Sequence, residues 1–173
     1  MSEKSDELHW RETYFILFPQ QRRPTLAKVT DAISAANSRY ALENPASNSE
    51  GFLESLMVES KLDHAAVEIS YEVGDAVIEQ NLEWAQTLQQ QLPAEQFQEL
   101  IAADARLDVV HFERVRASMA EQVDEPSPFF GDEFDVEDGF EMLDPTCLLT
   151  VVETLTKITE GLAFDPASGE VLS

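Results

Sequence analysis

Carboxylates are the residues here with the most chemistry to offer, and the densest run of them is Asp132-Glu133-Phe134-Asp135-Val136-Glu137-Asp138-Gly139-Phe140-Glu141. Read as a calcium loop from Asp135, it puts Gly139 at the fifth position and Phe140 at the sixth. An EF-hand needs its glycine at the sixth, where the chain turns sharply, so the match fails. Zinc chemistry is no better served. The chain has one cysteine, and His9, His64 and His111 lack the spacing that sets two ligands on one helix face. No metal and no cofactor are expected, since neither a Walker loop nor a Gly-x-Gly-x-x-Gly run occurs.

Nucleophilic catalysis has no local signature either. Gly-x-Ser-x-Gly is absent. Cys147 falls just inside a helix start behind Pro145, where the helix dipole could lower a thiol pKa. Neighbouring Asp144 opposes that, no histidine is adjacent, and a small buried apolar role is expected instead. Glu68 and Glu72 share a strand face with Ser70 between them, about 13 Å apart at four strand rises. That is too far for a glycosidase pair by themselves. An enzyme would therefore need a cleft assembled from dispersed carboxylates, and the reading leans away from catalysis.

Charge is the strongest compositional signal. The net value is −23, and the stretch 117–145 carries ten acidic residues and no basic one. Such a surface repels phosphate backbones and anionic bilayers, so neither nucleic acid nor a membrane is expected as a partner. It suits a basic protein. Arg22-Arg23 with Lys28 and Arg39 forms the one basic-leaning region, a possible small anion site or a source of internal ion pairs. Self-repulsion on this scale destabilises the compact state, and salt screens it over about 10 Å at 0.1 M. The melting temperature should therefore rise between low and moderate ionic strength; a flat or falling trend in thermal scans would mean the charges are already paired or well dispersed.

The elements that must position these groups can be read in order. Thr13–Phe18 is an apolar, aromatic run stopped by Pro19, as expected of a central strand buried on both faces. Pro24 opens a helix with Leu26, Val29, Ala32, Ile33 and Ala36 at helical spacing. Arg39–Glu43 suggests a short strand, and Asn44–Gly51 a loop. Phe52–Glu59 and the alternating Ala65–Val73 read as strands of a hairpin turning at Lys61–His64. A helix capped by Asp75 carries the stripe Val77, Ile78, Leu82, Ala85, Leu88 and Leu92. Pro93 ends it and starts another, with Phe97, Leu100 and Ile101 inward. Leu107–Phe112 is a strand. Asp144 and Pro145 start a last helix that Gly161 ends in a left-handed conformation, followed by a hairpin turning at Asp165–Gly169.

This pattern predicts an α+β fold: a mostly antiparallel sheet with helices packed on it. A ferredoxin-like split βαβ core with a C-terminal helix and hairpin added fits it best. Residues 1–12 are expected to be a flexible terminus and 13–173 one globular domain, with 117–145 as a long acidic loop. The polar Met1–Glu7 lacks the apolar core of a secretory signal, so a cytoplasmic location is expected. In the acidic loop Phe129, Phe130, Phe134 and Phe140 lie among the carboxylates. Burial is worth about 1.5–3 kcal/mol for each such side chain, so they are expected to pin the loop to the body. Phe129, Phe130 and Phe134 with Asp132, Glu133, Asp135, Glu137 and Asp138 are then the expected partner-binding residues. The function expected is a non-enzymatic interaction domain that binds a basic protein, of inhibitor, adaptor or toxin-neutralising type. The alternatives are the dispersed-carboxylate enzyme and an acidic mimic of nucleic acid.

Overall fold

The computed structural model describes residues 7–115 and 145–172. In chain order these form β1 (Glu7–Phe18), a 3-10 turn (Gln20–Arg22), α1 (Leu26–Ala36), β2 (Ala41–Ser47), β3 (Leu53–Ser60) and β4 (Ala65–Val73). Then follow α2 (Asp75–Leu88), α3 (Ala94–Ala102), β5 (Ala105–Val115), α4 (Thr146–Thr159), β6 (Leu162–Asp165) and β7 (Glu170–Leu172). The fold is α+β. One seven-stranded sheet runs in the order β2-β3-β4-β5-β1-β6-β7. Every pairing in it is antiparallel. With seven strands this sheet is larger than the ferredoxin-like split βαβ core expected from sequence, although its antiparallel pairing is as expected.

β1 sits between β5 and β6, and its alternation divides the core. Ile16 and Phe18 face a cluster with Val29 and Ile33 of α1 and Leu148, Val151, Val152 and Leu155 of α4. Phe15 and Leu17 face the other way, onto Ala85 and Leu88 of α2 and Leu100 of α3. An apolar residue at every position is what a strand covered on both faces requires. β1 is also longer than its apolar run. Residues 7–12, expected within a flexible terminus, pair with β5 across a bulge at Arg11, Trp10 opposite Phe112 and Glu12 opposite His111.

Several local expectations shift by a residue for identifiable reasons. α1 starts at Leu26 rather than at Pro24, and Thr25 caps it, its side chain accepting from the Lys28 N–H at 3.1 Å. Gly74, at φ 124°, is the residue before α2, and Asp75 is already helical. The stretch expected as a loop from Asn44 continues as β2 to Ser47, with a register shift at Asn44-Pro45 and Asn44 at φ 52°. Pro145 stands at the cap of α4 with no side-chain cap bond, and Asp144 lies outside the described residues.

The C-terminus of α4 shows the sharpest difference. Glu160, not Gly161, adopts the left-handed conformation, at φ 53° and ψ 40°. Gly161 is required by space: a Cβ there would meet the Leu17 carbonyl oxygen at 2.8 Å and Ile16 Cγ2 at 3.0 Å. The two positions should therefore respond with opposite sign. Glu160→Gly is expected to stabilise by about 1 kcal/mol, by relieving the left-handed strain at the loss of only an exposed ion pair. Gly161→Ala is expected to cost about 1–3 kcal/mol, since strand backbone cannot give way. Urea unfolding of the two variants checks both signs together.

Candidate functional site

The partner-binding residues expected from sequence, Phe129, Phe130, Asp132, Glu133, Phe134, Asp135, Glu137 and Asp138, lie outside the described residues. The other chemical candidates can be placed. Cys147 is fully buried at the start of α4, and burial pushes its thiol up to about 12, overriding the helix dipole. It should resist iodoacetamide in the native protein and react only at the rate of unfolding. Prompt stoichiometric labelling would contradict that burial.

His111 is buried on β5 with Nδ1 3.7 Å from the Glu12 carboxylate; burial lowers its pKa and Glu12 opposes the shift. His64 is the positive-φ residue of the β3–β4 turn. Glu68 stands opposite Met57 and Val110, while Glu72 stands opposite Arg106, so strand pairing gives Glu68 no carboxylate partner. Among the described residues no three His, Cys, Asp or Glu side chains are grouped to hold a metal ion.

Two ion pairs are embedded in the sheet. Arg106 Nε donates to Asp108 at 2.6 Å, and its Nη1 to Gln80 of α2 at 2.6 Å. The same guanidinium lies 4.1 Å from the Phe15 ring centre. Burial raises the Asp108 pKa against the pull of Arg106. Arg114 reaches Glu59 at 2.8 Å. Burial raises the Glu59 carboxyl, with Arg114 opposing and Glu43 adding to the shift.

The basic-leaning region turns out to be largely committed to structure. Arg22 donates to the Thr159 and Glu160 carbonyls. Arg23 donates to the Leu53 carbonyl and stacks on Tyr71, 3.9 Å from its centre. A cleft of about 330 Å³ opens beside them, lined also by Thr25, Lys28 and Glu160. The Glu160 carboxylate lies 3.8 Å from Arg22 Nη1 and offsets part of the positive charge there.

The exposed side of the α2–α3 layer has a different character. α2 is held in an unexpected phase by Asn81, which is buried and donates Nδ2 to the Ala103 carbonyl at 3.0 Å. Val77, Ala85 and Leu88 are buried with it. Along one flank Gln80 meets Arg106, and Trp84 meets Phe15 and Phe164 at ring distances of 5.5 and 4.6 Å. Ile78 and Leu82, expected in the core, are carried to the opposite flank, where they are 36% and 45% exposed. Ile101 of α3, also expected inward, is 40% exposed.

Beside that apolar pair runs a column of carboxylates. Asp75, Glu79 and Glu83 are each exposed and recur every four residues, a rise of about 6 Å per step. Glu95 and Glu99 repeat the spacing on α3. From Gly74 to Ala103 there are five carboxylates and no Lys, Arg or His. Among the described residues none of the five has a cationic group within 4.0 Å, whereas Glu59, Asp108, Glu113, Glu153 and Glu160 all do. Among the described residues the cations that form ion pairs form them with other carboxylates, not with these five.

No family model, no curated protein and no solved structure matches this chain. The sequence alone gave no reason to single out Ile78 and Leu82, because apolar residues at helical spacing default to the core. The available signal was the set 77, 81, 84, 85 and 88, which is well spaced once one asparagine is admitted to it. Among the described residues no helix is long and apolar enough to cross a membrane.

Proposed function

We propose that this chain is a non-enzymatic protein-interaction domain that docks a basic protein on the exposed side of its α2–α3 layer. The observation that carries the reading is an apolar pair, Ile78 and Leu82, standing beside five exposed carboxylates in a stretch without a single cation. Apolar contact supplies affinity once water is excluded, and unpaired carboxylates steer a partner of opposite charge and reject acidic ones. The outer parts of Ile78 and Leu82, one turn apart, form an apolar surface that a partner can cover.

The test compares the wild-type protein with Glu79→Lys/Glu83→Lys as immobilised baits in native lysate. The retained proteins are identified and their pI values compared with the lysate average. A basic protein should be held at about 50 mM salt, released by about 0.5 M, and missed by the double variant. Equal retention by both baits would remove the α2–α3 layer from the reading. Neutralising Asp132, Glu133, Asp135, Glu137 and Asp138 together tests the residues expected from sequence as a separate arm.

A further inference from the structure

We infer that the partner segment that docks here is an amphipathic α-helix with Lys or Arg beside its apolar stripe, lying along α2. The inference rests on the docking reading above and specifies the shape of what docks. Ile78 and Leu82 are one turn apart on one flank of α2, and Asp75, Glu79 and Glu83 follow the same rise beside them. Two parallel columns with a rise of about 6 Å are what one helix presents to another, so apolar side chains can interdigitate while i, i+4 cations meet i, i+4 carboxylates.

An extended segment fits less well for a reason of backbone chemistry. Laid on α2, it would find no backbone donors or acceptors to pair with, because those groups are used within the helix. A helix brings its own backbone bonds satisfied. Strand addition is also hindered at β2, the edge strand at one side of the sheet. There Asn44 at φ 52° and Pro45 interrupt the ladder, and Pro45 offers no N–H. A second copy of this chain is disfavoured by charge, since it would set two acidic layers of the same −23 molecule face to face.

The experiment uses the full chain and three labelled peptides of equal length, read by fluorescence anisotropy and by circular dichroism. One peptide sets Leu at i, i+4 with Lys columns beside it. The second has the same residues rearranged to alternate at strand period. The third replaces every Lys of the first with Glu. The helical cationic peptide should bind at least ten times more tightly than the alternating one and gain helicity on binding. Ile78→Ser/Leu82→Ser should weaken it about tenfold, measured where the variant's own spectrum still matches that of the wild type, since each side chain is also more than half buried. Glu79→Lys/Glu83→Lys should weaken it at least as much. Equal binding of the two cationic peptides, each lost in Glu79→Lys/Glu83→Lys, overturns the helix and leaves the basic-partner reading standing. Failure of both cationic peptides at low salt, equal binding of the acidic peptide, or indifference to Glu79→Lys/Glu83→Lys overturns the reading itself and the inference with it.

Discussion

Phe164→Ala should cost about 3–5 kcal/mol, the largest loss expected from any single truncation on the α2–α3 side of the sheet. Phe164 is completely buried, pairs across β1 with Phe15 and packs against Trp84 at 4.6 Å. Its strand is only four residues long, so β6 relies on this ring for much of its hold on the α2–α3 side. Truncation removes the ring's burial, its aromatic contact and the support of Trp84 together. Denaturant unfolding followed by tryptophan fluorescence and by far-ultraviolet dichroism measures the loss. A change under about 1 kcal/mol would mean that neighbouring side chains close the cavity. Phe164→Leu, which keeps most of the volume, should cost less than about 1.5 kcal/mol.

Arg106→Met is the second large effect, about 3 kcal/mol at neutral pH, and it should depend on pH in a defined direction. Removing the guanidinium strands Asp108, whose side chain is 23% exposed, without the partner at 2.6 Å that compensates its charge. Burial already raises the folded-state pKa of Asp108 above its ordinary value of 3.8. A carboxyl raised in the folded state holds its proton where the unfolded chain has released it, so stability falls as pH climbs through the folded pKa. Losing Arg106 removes the group that pulls the pKa down, and this window extends upward. The deficit against wild type should therefore be largest near pH 7.5 and shrink toward pH 5. Arg106→Met/Asp108→Leu should recover most of it, because an apolar pair has no stranded charge. A deficit independent of pH, or a double variant no better than the single, would show that the lost stacking on Phe15 matters more than the charge.

How much of this was legible beforehand depended on whether one signal acted alone. β1, α1, β4 and the C-terminal hairpin were readable because apolar pattern and turn chemistry agree there: Pro19 stops the strand, and Gly169 at φ 78° closes the β6–β7 turn. The phase of α2 was not, because Val77-Ile78 and Asn81-Leu82 offer two stripes one residue apart. Hydrophobicity favours the second, while the buried bond from Asn81 to Ala103 selects the first. That one polar contact also exposes Ile78 and Leu82, so the same ambiguity hid both the packing and the candidate site. At Gly161 the residue type was read correctly as special but for the wrong cause, since a close approach between elements distant in sequence leaves no local trace. The acidic character of the α2–α3 layer was visible in composition. Which carboxylates the nearby cations pair with needed coordinates, because Arg106 and Arg114 are close in sequence to that layer, yet Arg106 pairs with Asp108 and Arg114 with Glu59.

The place of β1 in the sheet has a consequence for the order of events during synthesis. Its hydrogen-bonding neighbours are residues 105–115 and 162–165, so β1 lies between two strands that are made after it. At about 5–20 residues per second, the ribosome adds the residues up to β5 over roughly 5–20 s after β1 has been made. Through that interval Tyr14-Phe15-Ile16-Leu17-Phe18 has no native strand to pair with. It is a five-residue, aromatic-rich segment without charge, of the kind that seeks other chains. The β2-β3-β4 meander can form meanwhile from its own neighbours, which leaves β1 as the stretch a holding chaperone would need to cover.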